Sequence, residues 1–369
     1  MATVDETVLE GIFAVAKPAC TSSGDVLLKL QATFASSSTF APLLRAQPER
    51  ARQTDERVFK MGHGGTLDPL ASSILIVGIG RGTKHLQKYL TCTKTYQTVV
   101  VFGASTDTYD CTGTIDERAG HQHVTEELVE QHLAQFRGKI NQMPPIYSAL
   151  KINGVKACDY AREGKELPRA LESREMDVED CTLLEWYPGG RHEFNILNDD
   201  SLSQAPAARL RLTVSSGFYV RSFAHDLGRA CASRSHMASL TRTRQANYAI
   251  DGATGSSDLF SAITYADLDA GEDVWGAKLR PQLEAWVAAN PTAIGHVNGR
   301  DRDVRRKLEE EKKLRPKQRF RGGWVADTKQ GRIKQQGGKG KGSEKPDANN
   351  TTPIEPSGHA TANQHVEGL

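Results

Sequence analysis

The densest concentration of potential chemistry in this 369-residue chain is the run Gly62-His63-Gly64-Gly65-Thr66-Leu67-Asp68-Pro69-Leu70-Ala71. Three glycines let the backbone approach a ligand closely or adopt positive φ, and Pro69 fixes the chain just after the acid. Such a loop presents the Asp68 carboxylate rigidly. Taken alone, the same string also describes a structural turn whose aspartate caps a backbone N–H. His63 adds an imidazole that titrates near neutrality and invites an acid–base role, with contact to a ligand as the alternative. A second glycine-rich string, Gly78-Ile79-Gly80-Arg81-Gly82-Thr83-Lys84, has neither of the two phosphate-loop spacings, so nucleotide binding is not expected. A tight connection between the apolar segment 74–79 and a following helix accounts for its glycines. The six cysteines are widely spread without a CxxC pair, which fits reduced thiols and predicts neither a disulfide framework nor a zinc site.

The elements that must position these residues alternate between strands and helices. Residues 11–17 (GIFAVAK) read as a strand, and Ser22 or Ser23 caps a helix with Val26, Leu27, Leu30 and Phe34 on one face. The stretch 36–58 loses periodicity and is expected to be an exposed insertion. Residues 95–102 (TYQTVVVF) read as a strand, Thr125 opens a helix carrying Val129, Leu133 and Phe136 on one face, and Gly138 marks its end. Leu210, Leu212 and Val214 alternate as a strand that breaks at Ser216-Gly217, before a helix near 223–231. Scattered apolar residues over 256–286 predict helices packed on the body. Residues 330–369 are rich in Gly, Lys, Asn, Thr and Pro and carry too little apolar surface to offset ordering entropy, which predicts a disordered tail.

Hydrophobic and charged fractions of 38% and 25% are those of an ordinary soluble protein, and no apolar run is long enough to span a bilayer, so no membrane partner is expected. The first ten residues, MATVDETVLE, carry no basic region, which predicts an intracellular address in the nucleus or the cytoplasm, with mitochondria also open. The net charge of +2 hides an asymmetry: residues 302–345 hold sixteen Lys/Arg against six Asp/Glu, leaving 31 basic and 39 acidic residues elsewhere. A segment with that excess can hold a polyanion by counterion release, whereas the body must use a local patch.

Several further segments, in order along the chain, turn these fragments into a resemblance. The loop Gly62 to Ala71 is similar to the G-H-x-G-x-L-D-P-x-A loop of TruB-type pseudouridine synthases, with Asp68 on the family's catalytic aspartate. Upstream, Lys17-Pro18 and Thr21-Ser22 resemble K-P-x-G-x-T-S, with Cys20 where the family has glycine. Lys94-Thr95-Tyr96 looks like the K-x-Y motif, and Pro144-Pro145-Ile146-Tyr147-Ser148-Ala149-Leu150-Lys151 with Tyr160-Ala161-Arg162-Glu163-Gly164 resembles P-P-x-Y-S-A-L-K…Y-A-R-x-G. Ser216-Gly217-Phe218-Tyr219-Val220-Arg221-Ser222 resembles S-G-T-Y-I-R-S, and Leu240-Thr241-Arg242 resembles L-x-R. The resemblance covers about 11–248, and the insertion before His63 is more like eukaryotic members than compact bacterial ones.

The resemblance implies an α/β (α+β) pseudouridine synthase fold with a central mixed, largely antiparallel sheet. It implies Asp68, Tyr96 and Arg221 as catalytic residues, and His63, Lys17, Tyr219, Leu240 and Lys151 as RNA-binding or site-supporting residues. Arg221 is the cation that a carboxylate facing a base in a poorly hydrated pocket needs in order to stay charged, and Tyr96 offers a face on which an extruded base can stack. The implied reaction converts uridine 55 in the tRNA T-arm to pseudouridine, with similar loops in mRNA as additional candidates. No cofactor, no guide RNA and a monomer are expected. An RNA-folding chaperone acting independently of catalysis is the alternative. The implied organisation is an arm over 1–10, a catalytic domain over 11–255, a helical extension over 256–300 and a basic, largely disordered tail over 301–369. The catalytic domain carries the 36–58 insertion and an RNA-gripping insertion over 140–170.

Overall fold

Alternate residues of the first strand, β1 (Gly11–Lys17), serve two different cores: Phe13 and Val15 enter one, Ile12 and Ala14 the other. A strand buried on both faces reads as the unbroken apolar run seen in its sequence. The described residues of this computed structural model are 7–46, 57–194, 199–250 and 259–291. After β1 comes α1 (Ser23–Ala35), started by a capping box in which Ser22 and Asp25 satisfy each other's backbone N–H groups. It buries Val26, Leu30 and Phe34. A short α2 (Ala41–Ala46) precedes β2 (Met61–His63) and β3 (Ser72–Ile79).

A 3-10 segment over Gly80–His85 leads to α3 (Gln87–Thr91) and β4 (Lys94–Phe102). Gly82 lies against β1 so closely that a Cβ there would sit 1.8 Å from the Gly11 carbonyl oxygen. Close packing is therefore what the Gly78–Lys84 glycines serve. The hairpin β5 (Ala104–Thr106) and β6 (Ile115–Arg118) follows, then α4 (Glu126–Leu133), capped by Thr125, and β7 (Gly138–Gln142). The small hairpin β8 (Lys151–Ile152) and β9 (Val155–Lys156) runs into α5 (Ala157–Arg162) before the long β10 (Arg174–Tyr187) and β11 (Ala207–Val214). The remaining elements are α6 (Val220–Ala230), β12 (Ser235–Gln245), β13 (Tyr248–Ala249), β14 (Phe260–Ser261), α7 (Tyr265–Ala270) and α8 (Glu272–Ala289).

The main sheet has the order β1-β3-β12-β4-β11-β10-β7, with β2 beside β3 and β13 joining β12 to β14. Every neighbouring pair along that order is antiparallel except β12 with β3. The sheet is thus mixed and largely antiparallel, as expected. Late-arriving β12 fills the gap between β3 and β4, which brings residues 235–245 beside the β2–β3 pair.

Several expectations are corrected. The 36–58 stretch is not exposed at its start: Phe40 is fully buried, Leu43 lies in the same core, and Phe40 packs on Phe34 and Trp275 at 4.5 and 6.1 Å between ring centroids. Apolar side chains at three-residue spacing outweigh the polar composition around them. Glu272 adds a polar tie by accepting from the Ser38 amide and hydroxyl and from the Thr39 amide, at 3.1, 2.8 and 2.6 Å. Residues 47–56 lie outside the described residues. Gly138 begins β7 rather than ending a helix, because a 3-10 turn over Ala134–Phe136 intervenes. The excursion expected over 140–170 starts after Gln142, which still pairs in the main sheet. Helix α6 begins at Val220, so Arg221 is in its first turn. Leu9 and Glu10, placed in an arm, are buried. The expectations for 301–369 fall outside the described residues. Among the described residues no helix is long and apolar enough to cross a membrane.

Candidate active site

Asp68 sits in the connection between β2 and β3, and the chain around it is fastened from several directions. The Lys17 ammonium donates to the carbonyls of Thr21, Pro18 and Pro69 at 2.7, 3.0 and 3.1 Å. One side chain therefore ties the segment after β1 to the residue that follows Asp68. Ser23 Oγ accepts from the Leu67 amide, and Gln245 Nε2 donates to the carbonyls of Gly64 and Tyr89. Asp68 accepts the Ala71 amide through its own carbonyl. In the Lys17 turn, Cys20 stands at φ +61°, a left-handed conformation that favours glycine. The family's glycine at this point thus has a backbone reason, which Cys20 meets under strain.

Arg221 reaches this loop from the opposite side of the site. Its Nε and Nη2 donate to the two carboxylate oxygens of Asp68 at 2.8 and 3.2 Å, a two-pronged charge-assisted pair. Nη1 donates to Thr108 O at 3.0 Å and Nη2 also to Tyr147 O at 2.8 Å. A second carboxylate, Asp110, lies 3.7 Å from Nε. These anions offset the positive end of the α6 dipole, which an arginine in the first turn would otherwise oppose. Ahead of the helix, Tyr219 has its amide and carbonyl both bound by Gln142 at the end of β7, at 2.8 and 3.0 Å. Side-chain exposure is 7% for Arg221 and 37% for Asp68, so the carboxylate is the open member of the pair.

Tyr96 on β4 and Arg242 on β12 are cross-strand partners. Arg242 is fully buried and donates through Nε and Nη2 to Ile74 O at 3.1 and 2.9 Å. Burial pushes the Tyr96 phenol pKa up, against the opposing pull of Arg242. Burial, followed by the Arg242 charge, pulls the His63 pKa down, which favours a neutral ring. Leu240, two residues from Arg242, completes the wall. Together these side chains line a cavity of about 630 Å³ that also takes in Leu67, Tyr147, Ser148, Lys156, Arg162 and Tyr219. Among the described residues no His, Cys, Asp and Glu cluster could hold a metal.

Of the residues singled out in the sequence, Asp68, Tyr96, Arg221, His63, Tyr219 and Leu240 converge on this cavity. Lys17, expected to support the site or touch phosphate, stands with its ammonium among backbone carbonyls. It is 1% exposed and all three ammonium hydrogens are met by carbonyls, which leaves none for a phosphate. Lys151, exposed on β8, is not among the residues lining the cavity. Sequence reasoning placed Arg242 and Ser148 in motifs without giving either a role, and missed Asp110. Arg242 was legible as the residue two positions from Leu240, on the same strand face. Ser148 is buried in the lining, and its hydroxyl has no partner among the described residues.

Comparison with known proteins gives the same reading. Residues 52–220 match the N-terminal domain model of the TruB family pseudouridylate synthases. A relative from Schizosaccharomyces pombe, tRNA pseudouridine synthase 4, is 34% identical over 326 residues, covering 65% of this chain and 80% of that protein. The protein of the same name from Saccharomyces cerevisiae is 31% identical over 349 residues, covering 75% and 85%. Among solved structures, a Cbf5–Nop10–Gar1 complex matches with TM-score 0.45 and 23% identity over 73% of this chain and 56% of that chain. A relative one-third identical, matched across four-fifths of its length, leaves one conclusion: the chain belongs to the TruB family of pseudouridylate synthases, isomerases that turn uridine into pseudouridine.

Proposed function

We propose that the protein isomerises the T-loop uridine at position 55 of tRNA, with similar loops in mRNA as further substrates. The family gives the reaction class, and the yeast relatives' names bring tRNA to this chain. The observation that carries the residue assignment is the Asp68–Arg221 pair, whose open carboxylate faces a cavity walled by an aromatic ring. In the proposed cycle the target base leaves its stack and enters the cavity, where Tyr96 and Leu240 confine it. The N1–C1′ bond breaks, the base turns, and C5 bonds to C1′ while C5 loses its proton and N1 gains one, so composition is unchanged. Asp68 is the reacting carboxylate and Arg221 positions it. Catalysis of this kind rests on preorganised charge and positioning.

Tyr96 acts in this scheme by contact rather than as a phenolate, because burial pushes its pKa up. His63 acts as a neutral ring against the RNA. The excursion between β7 and β10, which supplies Tyr147, Ser148, Lys156 and Arg162 to the cavity, is the RNA grip, and the basic segment 302–345 is an additional phosphate contact. Asp68→Asn tests the core of the scheme. The variant is expected to fold and bind a T-loop hairpin while making no pseudouridine. Product at near wild-type rate would refute the assignment, and full rescue of cells lacking the enzyme would favour a chaperone role.

A further inference from the structure

We propose that Tyr109 and His225 are positioning residues for the isomerisation, acting through Arg221; this rests on the Asp68–Arg221 reading above. Arg221 is also held by the turn between β5 and β6. Thr108 O accepts from Nη1 at 3.0 Å, and Asp110 Oδ2 lies 3.7 Å from Nε. The other oxygen of Asp110 is saturated, accepting from Thr108 Oγ1, Thr112 N and Thr112 Oγ1 at 2.8, 2.9 and 2.6 Å. The carboxylate is thereby fixed with one oxygen free to face the guanidinium.

Tyr109 lies between the two residues that touch Arg221, and its φ is +63°, a conformation that side chains other than glycine rarely adopt. The bend at 109 is what turns the carbonyl of the preceding residue and the carboxylate of the following one onto the same guanidinium. On one side the turn is stitched to β12: Met237 N donates to Tyr109 O, and Cys111 N to Met237 O. On the other side the Tyr109 ring lies on His225, with centroids 4.0 Å apart and planes 19° apart. His225 is four residues after Arg221 on α6 and so projects from the same helix face.

The helix and the turn therefore meet at two points, guanidinium on carbonyl and carboxylate, and imidazole on phenol ring. Two points fix the rotation of α6 about its axis where one would not. The His225 ring is buried and its Nδ1 has no hydrogen-bond partner among the described residues, so its contact with the turn is by stacking. Arg229 Nη1 closes the far end, 3.5 Å from Nε2. A bulky residue held in a glycine-like conformation is explained if its ring, and not merely the bend, is needed. Misplacement of a reacting group by about 1 Å can cost about a hundredfold in rate.

The test uses the full chain and a T-loop hairpin RNA, measuring kcat, RNA Kd and thermal melting. His225→Ala and Tyr109→Gly are expected to lower kcat tenfold or more with Kd changed less than twofold. Tyr109→Phe and His225→Phe are expected to restore kcat to within threefold of wild type. Glycine keeps the bend without strain, so Tyr109→Gly isolates the ring even if His225→Ala fails to fold. Wild-type kcat in Tyr109→Gly overturns the proposal, as does a proportionate loss of kcat, RNA affinity and melting temperature in all four variants. A wild-type protein that makes no pseudouridine on this RNA sinks the functional reading itself, and the proposal with it.

Discussion

Replacing Lys17 by methionine keeps the length of the side chain but removes the ammonium that donates to Thr21, Pro18 and Pro69 at 2.7, 3.0 and 3.1 Å. Each carbonyl that loses its donor in a buried place costs about 1–3 kcal/mol. Against that, removing a charge from a buried position recovers several kcal/mol of desolvation; burial is also what pulls the Lys17 pKa below its ordinary value. With the loops free to admit water to some carbonyls, we expect a net loss of about 3 kcal/mol. At about 2–4 °C per kcal/mol for a body of this size, the melting temperature falls by roughly 6–12 °C. Because Pro69 follows Asp68 directly, kcat falls as well. The decisive measurement is RNA affinity against salt. A lysine spent on carbonyls leaves the slope of log K on log salt unchanged, whereas a lost phosphate contact reduces it by about 0.9 or less. Wild-type melting together with a reduced slope would refute the anchoring role and reinstate Lys17 as a phosphate ligand.

Cys20→Gly is expected to raise stability by about 0.5–1 kcal/mol in urea titration, since glycine relieves the left-handed conformation at this position and gives back part of that gain as unfolded-chain entropy. Glu272→Gln tests the tie between α8 and the segment before α2. Desolvation opposes ionisation there, but the hydrogen bonds from Thr39 and Ser38 win and bring Glu272 from 4.5 down to about 2. A depressed carboxylate contributes fully above its unfolded pKa and loses its contribution as pH falls toward the folded one. Allowing for solvent screening, the variant should melt roughly 2–4 °C lower at pH 6, a gap that narrows by pH 3.5 in calorimetry. Ser148→Ala should raise KM several-fold with kcat nearly unchanged, because Ser148 lines the cavity and its hydroxyl has no partner among the described residues until RNA brings one. Unaltered KM would remove Ser148 from the binding surface.

The residues on either side of the reacting centre were legible because each sits in a local string whose glycines and prolines constrain the backbone within a few positions. Asp68 between Gly65 and Pro69 and Arg221 just past Gly217 are of this kind. What the strings do not encode is burial by distant chain. Lysine is almost never fully buried, so the sequence leaves Lys17 open between RNA contact and site support, and only the carbonyls of Thr21 and Pro69 show where its ammonium goes. The clue available was its place at the end of an unbroken apolar strand. Phe40 and Leu43 were hidden by polar neighbours, and the contact of Phe40 with Trp275 is made across more than two hundred residues. Asp110 and Tyr109 carry no signal that local composition could reveal, because their relation to Arg221 exists only once the turn, α6 and β12 have met.

The position of β12 has a consequence for how the chain becomes a protein. Until residues 235–245 are available, the sheet is two separate pieces: β1 with β3 and β2 on one side, β4 with β11, β10 and β7 on the other. Each piece then presents an open edge of unpaired amides and carbonyls, along β3 and along β4, the kind of surface that pairs with other chains. A ribosome-bound chain carries both edges from the completion of β4 until β12 is made, and closure must wait on contacts of high sequence separation, which makes such folding slow. The apolar stretch Ser72–Ile79, now covered by β1 along one edge and by β2 and β12 along the other, is in that interval the segment most in need of a chaperone.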